Sequence, residues 1–189
     1  AYFDQHGLYS FGRQPTQGAW ALQQLASALL PLADAEDLAK GLAPYEAAYQ
    51  QSFVAHTHHL LGLHSSGDLR ADLTFLQAFY GWMTSSGAAW PQTFFDLYGG
   101  MASAGRMQAS PQTALYQTAD FAPVRDALAA RAPTHADRLA LPYFQADEPV
   151  RMLVEDVEGL WDPIAADDDW SAFEAKLAHL EAARLALAP

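Results

Sequence analysis

An all-α fold is what this 189-residue sequence predicts. Three observations carry that prediction. Apolar residues recur at spacings of three and four almost throughout, and no segment alternates with period two as a half-buried strand would. Helix-capping residues, prolines and glycines stand where helices need starts and stops. The chain is 51% hydrophobic, ample for a packed core, and the connections between periodic segments are short. Together these predict a single domain, residues 1–189, built as a compact bundle of antiparallel helices.

Residues 1–15 are the exception. Tyr2, Phe3, Tyr9 and Phe11 follow no period, which predicts an irregular aromatic segment lying on apolar surface. A first helical group spans 16–98. Thr16 caps a helix running to about Pro31, with Leu22, Leu25, Ala26 and Leu29 as its apolar stripe. Trp20 falls on the other side and either covers the N-terminal segment or faces a partner. Asp34 begins a short helix, with Asp37 as a capping-box-like second member. Gly41 and Pro44 break it and restart the chain as a helix to Leu61. That helix presents Tyr45, Tyr49, Phe53, His56 and Leu60 on one face, and Gly62 stops it. Asp68 starts the next helix, which carries Leu69, Leu73, Leu76, Phe79, Tyr80 and Met83 and ends at Gly87. Pro91 opens a short helix through Phe94, Phe95 and Tyr98.

Gly99, Gly100 and Gly105 predict a flexible loop over 99–110. A second helical group follows over 111–189. Pro111 starts a turn of helix, and Asp120 caps a helix through Val124 and Leu128. Pro133 and Pro142 bracket a linker. Asp147 and Pro149 start a helix bearing Val150, Leu153, Val154, Val157, Leu160 and Trp161. Asp167, Asp168 and Asp169 place negative charge at the start of the last helix, which carries Trp170, Phe173, Leu177, Leu180 and Leu187.

Charge and composition narrow the function. The net charge is −12, so the chain repels phosphate backbones and anionic lipid, and neither nucleic acid nor membrane is an expected partner. Residues 145–189 hold eleven acids against Arg151, Lys176 and Arg184; that end reads as a solvated acidic face or a docking surface for a basic partner. The absence of cysteine excludes disulfides, thiolate metal sites and cysteine nucleophiles. No apolar run reaches the roughly 20 residues of a membrane span, and no export signal is visible. A cytoplasmic setting is therefore expected. The excess of Arg over Lys and the abundance of Ala suit a GC-rich bacterial source. Because the chain begins with Ala, it is expected to be a piece of a longer one.

No catalytic, cofactor-binding or metal-ligating residue is expected. His56, His58, His59 and His64 are the densest cluster of metal-type ligands. His56 and His59 share a helical face, but a zinc site needs a third and fourth ligand, and no HExxH pattern exists. The spacing predicts that they are hydrogen-bonded at the core edge, with His58 pointing away. Asp162 and Asp167–Asp169 lack the EF-hand spacing and its glycine. The glycines at 99, 100 and 105 follow a helix rather than a strand, and no lysine follows them, so they do not form a phosphate loop. Ser52, His56 and Asp72 can be combined as a triad, but no nucleophile-elbow motif supports it.

The N-terminal stretch is the most specific part of the chain. Gly7, Tyr9-Ser10-Phe11, Gln14-Pro15, Trp20, Leu22, Leu25 and Ala26 resemble, in order and spacing, a segment of selenoprotein O in which G-R-Y-S-F precedes Q-P and W-N-L-x-x-L-A. Tyr45 and Tyr49 followed by Leu61-Gly62-Leu63 resemble the family's helix ending in K-L-G-L. Glu148-Pro149-Val150-Arg151-Met152-Leu153 loosely resembles its N-P-x-x-V-L-R-N segment. Leu8 replaces an Arg of the pattern and Ala21 an Asn. An aspartate–tyrosine–threonine motif is reduced to Ala89-Trp90-Pro91-Gln92-Thr93, and the family's C-terminal cysteine or selenocysteine is missing.

The resemblance implies a protein-kinase-like fold, of which this chain would be the helical C-terminal end of the large lobe. It implies a pseudokinase that transfers AMP from ATP to protein hydroxyls with magnesium. The family's nucleotide- and metal-binding residues precede the matched segment, so none maps onto a position here. ATP and magnesium are thus implied for a full-length protein and no cofactor for this chain. The implied partners are a missing N-terminal kinase-like lobe and protein substrates. The alternative is a stand-alone acidic helical interaction module without catalysis.

Overall fold

The structure, a computed structural model, describes residue 7 and residues 10–188, without the side chain of Phe11. Ten α-helices occur among them: α1 (Gln14–Leu29), α2 (Ala35–Leu42), α3 (Tyr45–Leu60), α4 (Leu69–Ser86), α5 (Trp90–Leu97), α6 (Ala104–Ala109), α7 (Thr113–Tyr116), α8 (Ala122–Ala129), α9 (Val154–Asp167) and α10 (Ser171–Ala186). The described residues contain no strand, only an isolated bridge between Leu63 and Pro133. The all-α prediction holds. The chain divides into two compact units, residues 1–53 and 54–189, and the boundary falls inside α3.

In the first unit the helix expected from Thr16 starts two residues earlier. A 3-10 turn over Phe11–Arg13 leads into it, and Pro15 occupies the first turn, where its missing N–H costs nothing. Thr16 therefore lies inside the helix and caps nothing. Tyr45 donates from its hydroxyl to the Pro15 carbonyl at 2.9 Å, tying α3 to the start of α1. A β-carbon on Gly18 would sit 2.7 Å from that hydroxyl, which explains a glycine in a helix interior. Asp34 is the N-cap residue of α2 but its side chain accepts no capping bond, and Asp37 pairs instead with Lys40. Trp20 is 57% exposed, and most of the N-terminal segment it is expected to cover lies outside the described residues. Tyr2, Phe3 and Tyr9, and the Phe11 side chain, lie outside the described residues.

The second unit holds the core. α4 supplies Phe75, Leu76, Phe79, Trp82 and Met83, and it packs against α8, which brings Val124 and Leu128, with Phe121 just before it. The aromatic face expected for α3 is rotated. Val54, Thr57 and His58 are the buried residues, while Tyr49, His56 and Leu60 are exposed. The reason is tertiary: Val54, Thr57 and Leu61 follow a helical repeat as good as that of the larger aromatics, and α4 lies on their side.

The expected loop at 99–110 is mostly helical. Gly100–Ser103 forms a 3-10 turn that runs into α6, and Gly99, Gly100 and Ser103 are buried. Gly99 and Gly100 both have positive φ, at 84° and 61°, and a β-carbon on either would meet Leu139 or Leu63. These glycines mark close packing rather than mobility. Two further boundaries shift. Asp120 sits inside a 3-10 turn (Ala119–Phe121) and its side chain caps nothing, and α9 starts at Val154 rather than near Asp147. The linker between Pro133 and Pro142 contains a 3-10 turn, Ala136–Ala140, and another follows at Pro142–Gln145. The second of these carries Phe144, which stacks on Tyr98 at 4.8 Å and closes a small cluster with Phe95 and Ala186 of α10.

Candidate functional site

Two buried carboxylates are the chemically richest points of the second unit. The first is Asp72, 1% exposed on the inner face of α4. Asp68 caps that helix by accepting from the Arg70 amide at 2.9 Å and from the Ala71 amide, which sets Asp72 one turn inside it. The preceding loop folds back onto the carboxylate. Ser65 donates its hydroxyl to Oδ2 at 2.6 Å, and the Ser66 amide donates to both oxygens at 3.2 Å. From beyond the end of α8, Arg131 donates Nη2 to Oδ1 at 2.8 Å and Nη1 to the Ala127 carbonyl, with its guanidinium 4.2 Å from the Phe75 ring centre. Burial pushes the Asp72 carboxyl up, but the bonds from Ser65, Arg131 and Ser66 together outweigh it and hold the group at about 2.

His58 completes this cluster. Its Nδ1 is 2.9 Å from the Val54 carbonyl, and Arg131 donates Nε to its Nε2 at 3.2 Å. That pattern assigns the proton to Nδ1 and leaves Nε2 as an acceptor, 3.3 Å from Asp72 Oδ1. Hence His58 is not available as a base toward Ser65, whose hydroxyl is committed to the carboxylate. A serine nucleophile needs the opposite arrangement, with the hydroxyl on the imidazole and the carboxylate behind it.

A pH dependence follows. Asp72 titrates at about 2 when folded, against an ordinary value of 3.8. Its contribution is therefore complete above pH 4 and is lost as pH falls from about 4 to 2, roughly 2 kcal/mol in all. We expect the stability gap between the wild type and Asp72→Asn to narrow over that interval in urea unfolding. A gap that stays constant between pH 5 and pH 2 would contradict the assignment.

The second carboxylate is Asp96 on α5, fully buried. Gln92 donates to Oδ1 at 2.9 Å, while Ser110 and Tyr116 donate to Oδ2. Gln92 also reaches the Asp147 carbonyl, and Gln112 bridges Thr93 to Tyr116. Burial first, then the Asp96 carboxylate, pushes the Tyr116 phenol far above its usual value. Gln92 and Thr93 belong to the stretch Ala89–Thr93 that the sequence presents as a reduced motif; here they serve this network. Arg106, behind it, donates to the Tyr98 carbonyl and to Ser103 and lies 4.6 Å from the Phe144 ring centre. Burial lowers it to about 10, with Asp96 opposing, so it stays cationic at neutral pH.

The histidine expectation is corrected in part. His56 and His59 are exposed, whereas His58, expected to point away, is the buried and hydrogen-bonded one. The Ser52, His56 and Asp72 combination does not assemble, because Ser52 and His56 are exposed while Asp72 is buried among other partners. Asp168 and Asp169 do serve the start of α10: Asp169 accepts from the Ser171 amide and Asp168 from the Trp170 indole. Among the described residues no group of three or more His, Asp and Glu side chains is arranged to hold a metal ion. None of their helices is long and apolar enough to cross a membrane. A cleft of about 520 Å³ lies between the segment 142–151, the first turn of α9 and the middle of α10. Its cations already have acidic partners: Arg151 pairs with Glu148, and Lys176 lies 3.7 Å from Asp156.

A sequence model of the family described as protein adenylyltransferase SelO matches residues 1–181. The chain belongs to the SelO family. Curated SelO relatives carry the name protein nucleotidyltransferase YdiU. The one from Shewanella oneidensis is 41% identical over 69 residues, which is 36% of this chain and 14% of that protein. Those from Rhizobium johnstonii and Nitrosococcus oceani are 36% and 33% identical over 97 and 101 residues, covering 48% and 50% of this chain and 19% and 20% of theirs. The matches thus span a fifth or less of these SelO relatives. No solved structure matches the chain significantly.

Proposed function

We propose that this chain is the C-terminal helical part of a SelO-type protein adenylyltransferase, a pseudokinase-fold enzyme transferring AMP from ATP to protein hydroxyls. In this reading it supports the catalytic site without containing it. The observation that carries the reading is the saturation of the interior carboxylates. Asp72 and Asp96 are each filled by protein donors, and Arg131 and Arg106 are pinned to them or to backbone carbonyls. Handling a triphosphate with magnesium requires cations around the phosphates and free carboxylates on the metal. The interior charges described above do not offer such a set for ATP or magnesium.

α1 supports the same reading. It contains no charged residue, yet Trp20 and Leu25, with Leu30 after it, are more than half exposed. A helix with no charged residue and several exposed large apolar side chains suits a permanent seam with the catalytic lobe of the same polypeptide, in a cytoplasmic bacterial enzyme.

The test is calorimetric titration of the chain with ATP and magnesium, together with an adenylylation assay on labelled ATP. The expected result is no binding and no transfer by the chain alone, and transfer when the upstream region is present in the same polypeptide. Clear magnesium-dependent ATP binding by these 189 residues overturns the reading.

A further inference from the structure

We propose that the outer face of α9 and α10 docks a basic amphipathic helix belonging to a partner protein. On α9, Val154, Val157 and Trp161 stand at i, i+3 and i+7, and all are exposed, Trp161 by 60%. At the start of α10 the same spacing sets out Trp170, its N-cap residue, with Phe173 and Leu177, also exposed. α9 and α10 pack against each other and are joined by the short connection Asp168–Trp170. Apolar anchors at this spacing are how one amphipathic helix meets the apolar surface of another protein.

Charge selects the occupant. Glu155, Glu158 and Asp162 form a row one residue on from Val154, Val157 and Trp161, and so flank that stripe along its length. Glu174 flanks the other. None of these four pairs with a cation among the described residues, whereas Asp156, Glu181 and Asp169 are engaged by Lys176, Arg184 and the Ser171 amide. An apolar stripe bordered by unpaired carboxylates is complementary to a helix with Leu-type anchors between rows of Lys or Arg. A second copy of this chain presents the same acids and is repelled. The charged border also keeps the face soluble when free, as in interfaces between separable proteins. α1, which contains no charged residue, lacks such a border.

The test uses the full 189-residue chain. A labelled helical peptide of about 18 residues, with a leucine stripe between lysine rows, is titrated by fluorescence anisotropy beside its glutamate counterpart. The basic peptide is expected to bind, more weakly as salt rises, and the acidic one not to bind. The triple variant E155K/E158K/D162K should weaken the basic peptide about tenfold or more while its circular dichroism stays unchanged. Equal binding of both peptides, no binding of either, or no effect of the reversal overturns the proposal. Sedimentation showing a dimer abolished by Trp161→Ser would assign the face to a second copy. Hydrogen exchange at 154–165 that slows when the upstream region is joined to the chain would assign it to the same polypeptide. Either result also overturns the proposal.

Discussion

Replacing Asp72 with alanine is expected to destabilise the second unit by about 3–5 kcal/mol, the cost of removing one partner from a buried ion pair. The magnitude comes from what is left behind. Arg131, whose side chain is 7% exposed, loses its carboxylate and keeps only His58, the Ala127 carbonyl and the Phe75 ring. Ser65 and the Ser66 amide lose their acceptor, which releases the loop before α4. Asp72→Asn should cost less, because an amide keeps one acceptor oxygen and the volume. Urea unfolding followed by circular dichroism gives the numbers. A loss below about 1 kcal/mol for Asp72→Ala would mean that the loop and Arg131 find other partners at little cost.

Gly62→Ala is expected to cost about 3 kcal/mol or more. Gly62 has φ of 59°, a region where a β-carbon is strained by about 1–2 kcal/mol. The added β-carbon would also lie 2.6–2.8 Å from atoms of the Tyr98 ring. That ring is stacked on Phe144 and cannot retreat without opening the cluster with Phe95 and Ala186. The turn is anchored further by bonds from the Gly99 amide to Leu61 and from the Thr134 amide to the Gly62 carbonyl. Gly81→Ala is the control. Gly81 lies on the exposed side of α4 with nothing near its β-carbon position, so alanine there should be neutral or stabilising by about 0.5–1 kcal/mol. Similar midpoints for the two variants in thermal unfolding would refute the steric account.

The helices were readable one by one because their signals are local. Asp68 does cap α4, Gly87 does end it with φ of 69°, and Pro91 does open α5. The misreadings share one cause. The glycines at 99 and 100 look like hinge residues until Leu139 and Leu63 are seen against them. The histidines of α3 could be placed on a face but not on the right one, since Tyr49, Phe53 and His56 compete with Val54, Thr57 and His58 at the same period. The Asp72 and Asp96 centres left no trace in the sequence. Their partners come from 59 residues away in Arg131 and 20 residues away in Tyr116, and no local pattern marks such pairs.

By itself the sequence determined the all-α class, the acidic and cysteine-free character, and the family, because composition, period and ordered motif matches require no knowledge of neighbours. The tertiary structure alone decided which face of α3 is buried, that the glycine-rich stretch is packed helix, and that both interior carboxylates are closed off by protein donors. Those outcomes depend on which distant side chain arrives at a given point. A helical repeat states that some face will be covered, but only the packing of α4, α8 and the 131–145 segment states by what.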